Sequence, residues 1–312
     1  MDAPDISVVL IIDKLRDRAG AALQSVLAQD QERRVEVILV DCAGGGLDPL
    51  PASADPRVTV LAGSVSLTFG RLRANAVRAA GAPLVAFLEE HCVASPGWLQ
   101  ALVRAHRQGW KAIGPEIRNG NPQSRVSRAL AQAFWRPWLH PAISGEVDLL
   151  PGHNSAYDRE LLLSLGPELD DLMQVDLILQ RRLQWLGHRL YLEAGASIEH
   201  RNETTLGAAF GSYFHWNRLF GAARAAQPDW PAPRRVAWAL ASPLVPWLRV
   251  ARWIRESDRQ HWLNALGLVP VLLVFHSMAA VGHALGLLCG AGGSHRAFLE
   301  QELNLAQRAS PS

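Results

Sequence analysis

Short apolar runs alternate with helix-like stretches along the first two-thirds of the chain. Four of the runs have the length of a β-strand and are rich in β-branched residues; they occupy residues 7–12, 35–40, 57–61 and 84–88. Runs that are largely apolar on both faces are typical of parallel strands buried inside a sheet. The alternation therefore predicts strands that helices cover on either side.

The stretches between these runs carry apolar residues at helical spacing. Two examples are the set Ala19, Leu23, Val26 and Leu27 and the set Leu72, Ala76 and Ala79. Strands and helices in alternation predict an α/β fold, in which a mostly parallel sheet is flanked by helices and joined by right-handed crossovers.

The composition changes after about residue 204, which predicts one α/β domain over residues 1–203 and a helical region over residues 204–312. Six of the eleven tryptophans lie between residues 204 and 264. Within residues 244–256, arginines recur at every third position beside an apolar face. This pattern predicts a basic amphipathic helix of the kind that lies in a membrane interface.

An apolar tract follows at about residues 260–295, where the sequence has no Asp, Glu, Lys or Arg. A membrane span needs only about 20 apolar residues. We therefore expect a C-terminal membrane-associated region, with spanning and interfacial placement both open and a buried helical cap as the alternative. Arginines flank the tract, which favours the cytoplasmic face of the cell membrane. His276 and His283 are better explained by helix packing than by metal binding.

The charge, the cysteine spacing and the N-terminal segment give no sign of a polyanionic partner, a disulfide framework or a signal peptide. The formal net charge is only +2 over 312 residues, so nothing indicates nucleic acid or another polyanion as a partner. The three cysteines, Cys42, Cys92 and Cys289, have neither the spacing of a disulfide framework nor that of a zinc motif. The N-terminus lacks the features of a signal peptide, and we interpret the first segment as structure.

Polar side chains follow the predicted strands at the edge where open α/β sheets bind ligands. Asp13 follows the first strand, Asp41 ends the second before Gly44, Gly45 and Gly46, and Glu89, Glu90 and His91 follow the fourth. Carboxylates beside an imidazole can hold a divalent cation that neutralises a diphosphate. A helix-capping acidic turn is the alternative. No G-x-G-x-x-G motif follows the first strand, which disfavours a dinucleotide-binding dehydrogenase.

In order and spacing, these segments resemble bacterial family-2 glycosyltransferases of the GT-A fold. That family has a P-T-Y-N-like turn, V-D-D-G-S, R-N-x-G before F-L-D-D-D, a G-x-N segment and a distal histidine. The counterparts here are Ile12-Asp13-Lys14, Val40-Asp41-Cys42-Ala43-Gly44, Arg73-Ala74-Asn75, Phe87-Leu88-Glu89-Glu90-His91, Pro151 through Tyr157, and residues 183–200 ending in His200. The resemblance covers about residues 5–203.

The resemblance implies an inverting transfer of a sugar from a nucleotide-diphosphate-sugar to a lipid-linked or cell-envelope glycan acceptor. It assigns Mn²⁺ or Mg²⁺ to Glu90, His91 and His200. It assigns substrate binding to Asp13, Asp41, Arg73, Asn75, Glu89, Gly152 and Asn154, with Asp41 on the nucleobase and Glu89 toward the ribose or phosphates.

The general base is the main departure from the family pattern. Where the family has E-D before a helix, this chain has Met173 and Gln174, followed by Val175 and Asp176. Asp176 is the first candidate for the base and Asp171 the second, although Asp176 could instead cap the helix.

Other residues keep further possibilities open. His153 lies in a glycine turn and could orient the acceptor or act as the base, since its unperturbed pKa is near 6.5; bonding within its own loop is the alternative. Arg181 and Arg182 could reach the diphosphate or remain solvated.

The altered acidic segments leave a catalytically degenerate binding or scaffold protein at the membrane as a second hypothesis. A nucleotidyltransferase is disfavoured, because a glycine- and lysine-rich phosphate loop is missing.

Overall fold

The computed structural model describes residues 3–29, 34–44, 50–256 and 266–304. The chain divides into two compact units: the first contains residues 1–120 and 137–201, and the second contains residues 121–136 and 202–312. The segment 121–136 thus belongs with the C-terminal residues, although it lies within the predicted catalytic domain in sequence.

Nine strands of the described residues form one sheet in the first unit. They are β1 Ile6–Ile12, β2 Val35–Asp41, β3 Val58–Ala62, β4 Leu84–Phe87, β5 Cys92–Ala94, β6 Ala112–Asn119, β7 Gly145–Val147, β8 Ala156–Asp158 and β9 Leu190–His200. Their order is β3-β2-β1-β4-β8-β6-β9-β5, and β7 also pairs with β9.

Twelve α-helices lie in the described part of the chain. They are α1 Arg16–Leu27, α2 Phe69–Ala79, α3 Trp98–Arg107, α4 Arg125–Leu130, α5 Arg159–Ser164, α6 Leu169–Leu172, α7 Asp176–Trp185, α8 Leu206–Ala225, α9 Ala232–Ala241, α10 Val245–Glu256, α11 Val269–Cys289 and α12 Ser294–Asn304. Local capping fixes several starts: Thr68 Oγ1 accepts the Arg71 N–H at 3.2 Å before α2, and Asp158 Oδ1 accepts the Leu161 N–H at 2.8 Å before α5.

The predicted α/β fold is confirmed, and the sheet is mixed. Strands β3, β2, β1 and β4 are parallel neighbours, and every residue of β1 is buried, as expected for a strand covered on both faces. Beyond β4, the pairings of β8 with β4 and β6 are antiparallel, β9 runs parallel to β6, and β5 and β7 run antiparallel to β9. The three-residue strands β5, β7 and β8 are too short to produce a recognisable apolar run.

The second unit is helical. Its buried core includes Tyr213 of α8, Trp253 of α10 and Phe275 of α11. Helices α8 and α11 approach at glycines: a Cβ placed on Gly286 would lie 2.2 Å from the Arg218 carbonyl oxygen, and one on Gly282 would lie 2.4 Å from the Phe214 carbonyl oxygen. Only glycine permits so close an approach of two helix backbones.

The predicted amphipathic helix at 244–256 coincides with α10. Of the predicted apolar tract, residues 260–265, which include Trp262, lie outside the described residues. Most of the remainder forms α11, Val269–Cys289. Helix α11 is long and apolar enough to cross a membrane by length and composition alone, a test that the core helix of a soluble protein also passes. Membrane association stays a prediction.

Candidate active site

Four of the predicted site residues of the first unit lie at one edge of the sheet. Asp13 directly follows β1, Asp41 ends β2, Glu89 follows β4, and His200 ends β9. Because β1, β2, β4 and β9 run in the same direction, their carboxyl ends meet at this edge, where open α/β sheets bind ligands.

Asp41 is held in place by a neighbouring helix and by its own loop. Its carboxylate lies 2.8 Å from the Arg16 guanidinium and accepts the Ala43 N–H at 3.0 Å. Gly44 has a φ of 69°, whereas Gly45 and Gly46 lie outside the described residues. Burial, with the charges of Asp13 and Asp41, raises the pKa of the Cys42 thiol to about 12. The Cys42 thiol therefore stays protonated at neutral pH.

A tight turn between β4 and β5, residues 89–92, brings three side chains that can ligate a metal close to His200 at the end of β9. We call residues 89–92 the metal-binding turn. The Cys92 N–H donates to the Glu89 carbonyl oxygen at 2.9 Å, and Cys92 lies opposite His200 in the antiparallel β5–β9 pair. One donor atom each from Glu89, His91, Cys92 and His200 lies within 4.8 Å of all the others, and all four residues are buried. Such a group could hold a metal ion.

Glu90, a predicted metal ligand, lies on the other side of this turn. Its carboxylate forms a buried ion pair with Arg18, and its Oε2 lies 3.4 Å from His91 Nδ1. The metal-binding group instead contains Glu89, for which the resemblance implied a role toward the ribose or phosphates. Glu90 thus contacts the ring nitrogen of His91 that faces away from the group.

Glu89 is fixed by two residues of the loop before β8. The Asn154 amide donates to Glu89 Oε2 at 2.5 Å and accepts the Glu89 N–H at 3.0 Å, while His153 Nδ1 lies 3.0 Å from Glu89 Oε1. Burial by itself would raise the pKa of Glu89, but the neighbouring histidines outweigh it and hold the pKa well below its usual range. Glu89 is therefore a carboxylate at neutral pH.

A buried chain of charges continues from Glu89 to Asp176 and Arg73. His153 Nε2 lies 3.2 Å from one oxygen of Asp176, and Arg73 Nη1 lies 2.9 Å from the other. Arg73 also donates to the Met173 carbonyl oxygen at 3.0 Å. Each charge is thus paired, which is the usual condition for ions to persist in a protein interior.

The backbone conformation of Gly152 and His153 permits the contacts of His153 with Glu89 and Asp176. His153 has a φ of 60°, a conformation that costs roughly 1–3 kcal/mol outside glycine. A Cβ on the preceding Gly152 would lie 3.0 Å from Asp176 Oδ2. Burial would lower the pKa of His153, but Asp176 and Glu89 outweigh it and raise the pKa. With a carboxylate near each ring nitrogen, His153 suits an imidazolium that donates to Glu89 and pairs with the charge of Asp176.

The three candidates for the general base differ in exposure. Asp176 is 1% exposed and paired on both oxygens, whereas His153 is 8% exposed. Asp171 lies exposed on α6, away from the buried charges just described. At the family's E-D position, Gln174 Oε1 accepts the Gly70 N–H at 3.0 Å and so ties α2 to the start of α7.

The remaining predicted residues are more distant from this chemistry. Asn75 is exposed and accepts from Arg78 Nη1 at 3.2 Å. Arg182 pairs with Glu168 at 3.3 Å, and Arg181 is exposed. Sequence reasoning missed Arg18 and Cys92, because neither the β5–β9 register nor the contact between α1 and the β4–β5 turn leaves a local signal.

Comparison with solved structures finds chains similar to this one. The chain is similar to the mannosyltransferase PcManGT from Pyrobaculum calidifontis, solved in complex with GDP-Man and Mn²⁺, with a TM-score of 0.55 and 16% identity over 93% of this chain and 88% of that one. GalNAc-T7, solved with UDP, GalNAc and Mn²⁺, gives a TM-score of 0.48 and 13% identity over 64% and 44% of the two chains. No curated protein matches the sequence.

The similarity to PcManGT confirms the GT-A-type fold. The family model described as Glycosyl transferase family 2 matches residues 7–166, which is just over half of the 312 residues. This match includes the ends of β1, β2 and β4, the metal-binding turn and the loop that carries His153. The predicted enzyme class is thereby confirmed, and the chain belongs to glycosyltransferase family 2.

Proposed function

We propose that this glycosyltransferase moves a sugar from a nucleotide-diphosphate-sugar to a lipid-linked or cell-envelope glycan acceptor at the cytoplasmic face of a membrane. The observation that carries the donor class is the convergence of Asp41 and the metal-binding turn at one edge of the sheet. In such a donor, the nucleobase would be bound by Asp41, and the diphosphate would be bound by a cation at the metal-binding turn. The GDP-Man and Mn²⁺ bound by PcManGT support the same assignment.

A divalent cation is part of this proposal. Glu89, His91 and His200 offer one carboxylate and two imidazoles, a set that suits Mn²⁺ better than Mg²⁺, which prefers oxygen ligands alone. When bound, the cation would offset the negative charge of the diphosphate as it leaves. The pairing of Glu89 with His153 and Asn154 would keep that carboxylate aimed at the cation.

The inverting course is carried over from the resemblance to the family-2 glycosyltransferases. Inversion in one displacement needs a group that takes the proton of the acceptor hydroxyl. Asp176 stays the first candidate by its place in sequence, but its pairing with Arg73 and His153 favours a positioning role. Asp171 is the exposed candidate. Comparing Asp171→Asn with Asp176→Asn in transfer assays separates these roles.

The helical unit supports membrane attachment. Helix α10 turns Pro246, Val250 and Trp253 inward, while Trp247 is 65% and Leu248 is 67% exposed. Arg249, Arg252 and Arg255 are also exposed. Neighbouring α9 has no buried residue and adds exposed Trp238 and Leu240. Exposed tryptophans and leucines beside arginines suit a surface that lies in the interface of an anionic membrane.

A panel of nucleotide sugars tests the enzyme against the scaffold alternative. With Mn²⁺ present, we expect at least one donor to raise the melting temperature and to be hydrolysed slowly without acceptor. Asp41→Asn should abolish that protection, whereas Asp17→Asn, a change in the adjacent helix α1, should retain it. Protection without turnover toward any lipid-linked acceptor would favour the scaffold. If no donor gives protection and none is hydrolysed, the proposal is ruled out.

A further inference from the structure

The Cys92 thiol lies beside the group formed by Glu89, His91 and His200, and the printed separations within this group are close to those of a tetrahedral metal site. His91 Nε2 lies 3.1 Å from His200 Nε2, and Glu89 Oε2 lies 3.6 Å from His91 Nε2 and 3.4 Å from His200 Nε2. Cys92 Sγ lies 3.9 Å from the same Glu89 oxygen. Zinc–ligand bonds of about 2.0–2.3 Å place neighbouring tetrahedral donors about 3.3–3.7 Å apart.

The surroundings already orient these donors. Glu90 lies against His91 Nδ1 and is itself paired with Arg18, so that Nε2 of His91 faces the group. Asn154 holds the Glu89 carboxylate at 2.5 Å. Carboxylates behind ligating histidines and hydrogen bonds to ligating carboxylates are typical of functional metal sites. Positions 92 and 200 are paired directly across β5 and β9, which fixes the thiol and the imidazole on facing strands.

We propose that Cys92 is a fourth protein ligand, and that it makes this site bind Zn²⁺ more tightly than Mn²⁺ or Mg²⁺ in a form closed to the donor diphosphate. A thiolate with two imidazoles and a carboxylate is a zinc-type donor set. Zinc also binds nitrogen and sulfur ligands more tightly than manganese does. Four protein ligands would occupy every coordination position of a tetrahedral Zn²⁺, whereas six-coordinate Mn²⁺ on the same group would keep positions open for phosphate oxygens. On binding, the Cys92 thiol releases its proton to solvent.

Cobalt spectroscopy tests the ligand directly and does not require activity. We expect Co²⁺ added to the chelator-treated protein to produce a thiolate-to-cobalt charge-transfer band in the near ultraviolet. Cys92→Ser should lose that band and bind Zn²⁺ at least about tenfold more weakly, with a smaller change for Mn²⁺. Cys42→Ser, which alters another buried thiol of the same unit, is the matched control and should retain the band. A band that survives in Cys92→Ser would overturn the proposal.

X-ray absorption of the zinc-loaded wild-type protein covers the case in which Cys92→Ser fails to fold. We expect one zinc per chain, with one sulfur neighbour at about 2.3 Å and nitrogen or oxygen neighbours at about 2.0–2.2 Å. A first shell without sulfur would contradict the proposal.

The closed form has a consequence that rests on the proposed function. Zinc should inhibit transfer supported by Mn²⁺, and Cys92→Ser should require at least about tenfold more Zn²⁺ for the same inhibition. If no donor supports transfer but the cobalt band appears, the proposed function fails while the ligand assignment stands. If transfer proceeds but the wild-type protein shows neither band nor sulfur neighbour, the ligand assignment fails alone.

Discussion

At the scale of single residues, the site depends on buried charges that satisfy one another. Asp176 is the centre of the set, because Arg73 and His153 both face it. Arg73 lies over the Phe87 ring at 4.4 Å, so the guanidinium cannot reach water if its partner is lost. A buried ion that loses its partner is far more costly than a pair that never formed.

Removing the Asp176 charge should therefore destabilise the fold. We expect Asp176→Asn to lower the free energy of unfolding by about 3 kcal/mol, because Arg73 would be left buried beside a neutral amide. Urea denaturation followed by circular dichroism measures the change. Asp171→Asn, at an exposed position on the preceding helix α6, should stay within about 0.5 kcal/mol of wild type. Equal stabilities for the two variants would contradict the paired arrangement.

Cys42 is buried and Cys289 is exposed, so the two thiols should also differ in reactivity. With a pKa raised to about 12, only about one Cys42 in ten thousand is a thiolate at pH 8, and its side chain is buried. Cys289 is exposed. In the native protein, iodoacetamide should label Cys289 and leave Cys42 unmodified, as read by peptide mass spectrometry. Labelling of Cys42 at a comparable rate without denaturant would show that its burial is wrong.

These residues also show how far sequence reasoning reaches. Asp13, Asp41 and Glu89 could be placed because each directly follows an apolar run, and parallel strand ends share an edge. Arg18 and Cys92 could not be placed from the sequence. Their partners, Glu90 and His200, lie 72 and 108 positions away, and only helix packing and strand register bring them together. Glu89 rather than Glu90 joins the metal-binding group because, within a single turn, the two adjacent carboxylates contact different partners.

At the scale of elements, the second unit depends on helices that touch through their backbones. Gly221 and Gly286 face each other: a Cβ on Gly286 would lie 2.9 Å from the Gly221 Cα, and one on Gly221 would lie 2.3 Å from the His283 carbonyl oxygen. The sequence indicates that α8 and α11 are apolar helices, but not which glycines meet. That pairing is set by the crossing of two helices far apart in the chain.

Adding one methyl group at this crossing should separate the helices. We expect Gly286→Ala to lower the free energy of unfolding by about 1–3 kcal/mol, because its Cβ would collide with backbone rather than with a flexible side chain. Gly207, in the first turn of α8, has open space around it. Gly207→Ala should be neutral or stabilise by up to about 1 kcal/mol. Urea denaturation compares the two, and a stabilised Gly286→Ala would contradict the close approach.

At the scale of the whole molecule, helices α9 and α10 expose several large apolar side chains. Val236, Trp238 and Leu240 on α9 are 44–77% exposed, and Trp247 and Leu248 on α10 exceed 60%. Large contiguous apolar surfaces usually mark interaction sites. Arginine side chains beside them favour a negatively charged partner. Helix α8 contains Arg218 and Arg224 and packs against α11, which favours an interfacial placement of this helix pair over one that spans the bilayer.

Vesicle binding tests this placement. The full-length protein should float with vesicles that contain phosphatidylserine, and high salt should weaken binding because Arg249, Arg252 and Arg255 attract the lipid charge. Trp247→Glu with Leu248→Glu should reduce binding at least about tenfold, since each exposed side chain contributes roughly 1.5–3 kcal/mol when buried. Trp185→Glu removes a tryptophan that is 76% exposed on α7 of the sheet unit and should leave binding unchanged. Equal loss in both variants would show that exposure alone, rather than the α9–α10 surface, governs attachment.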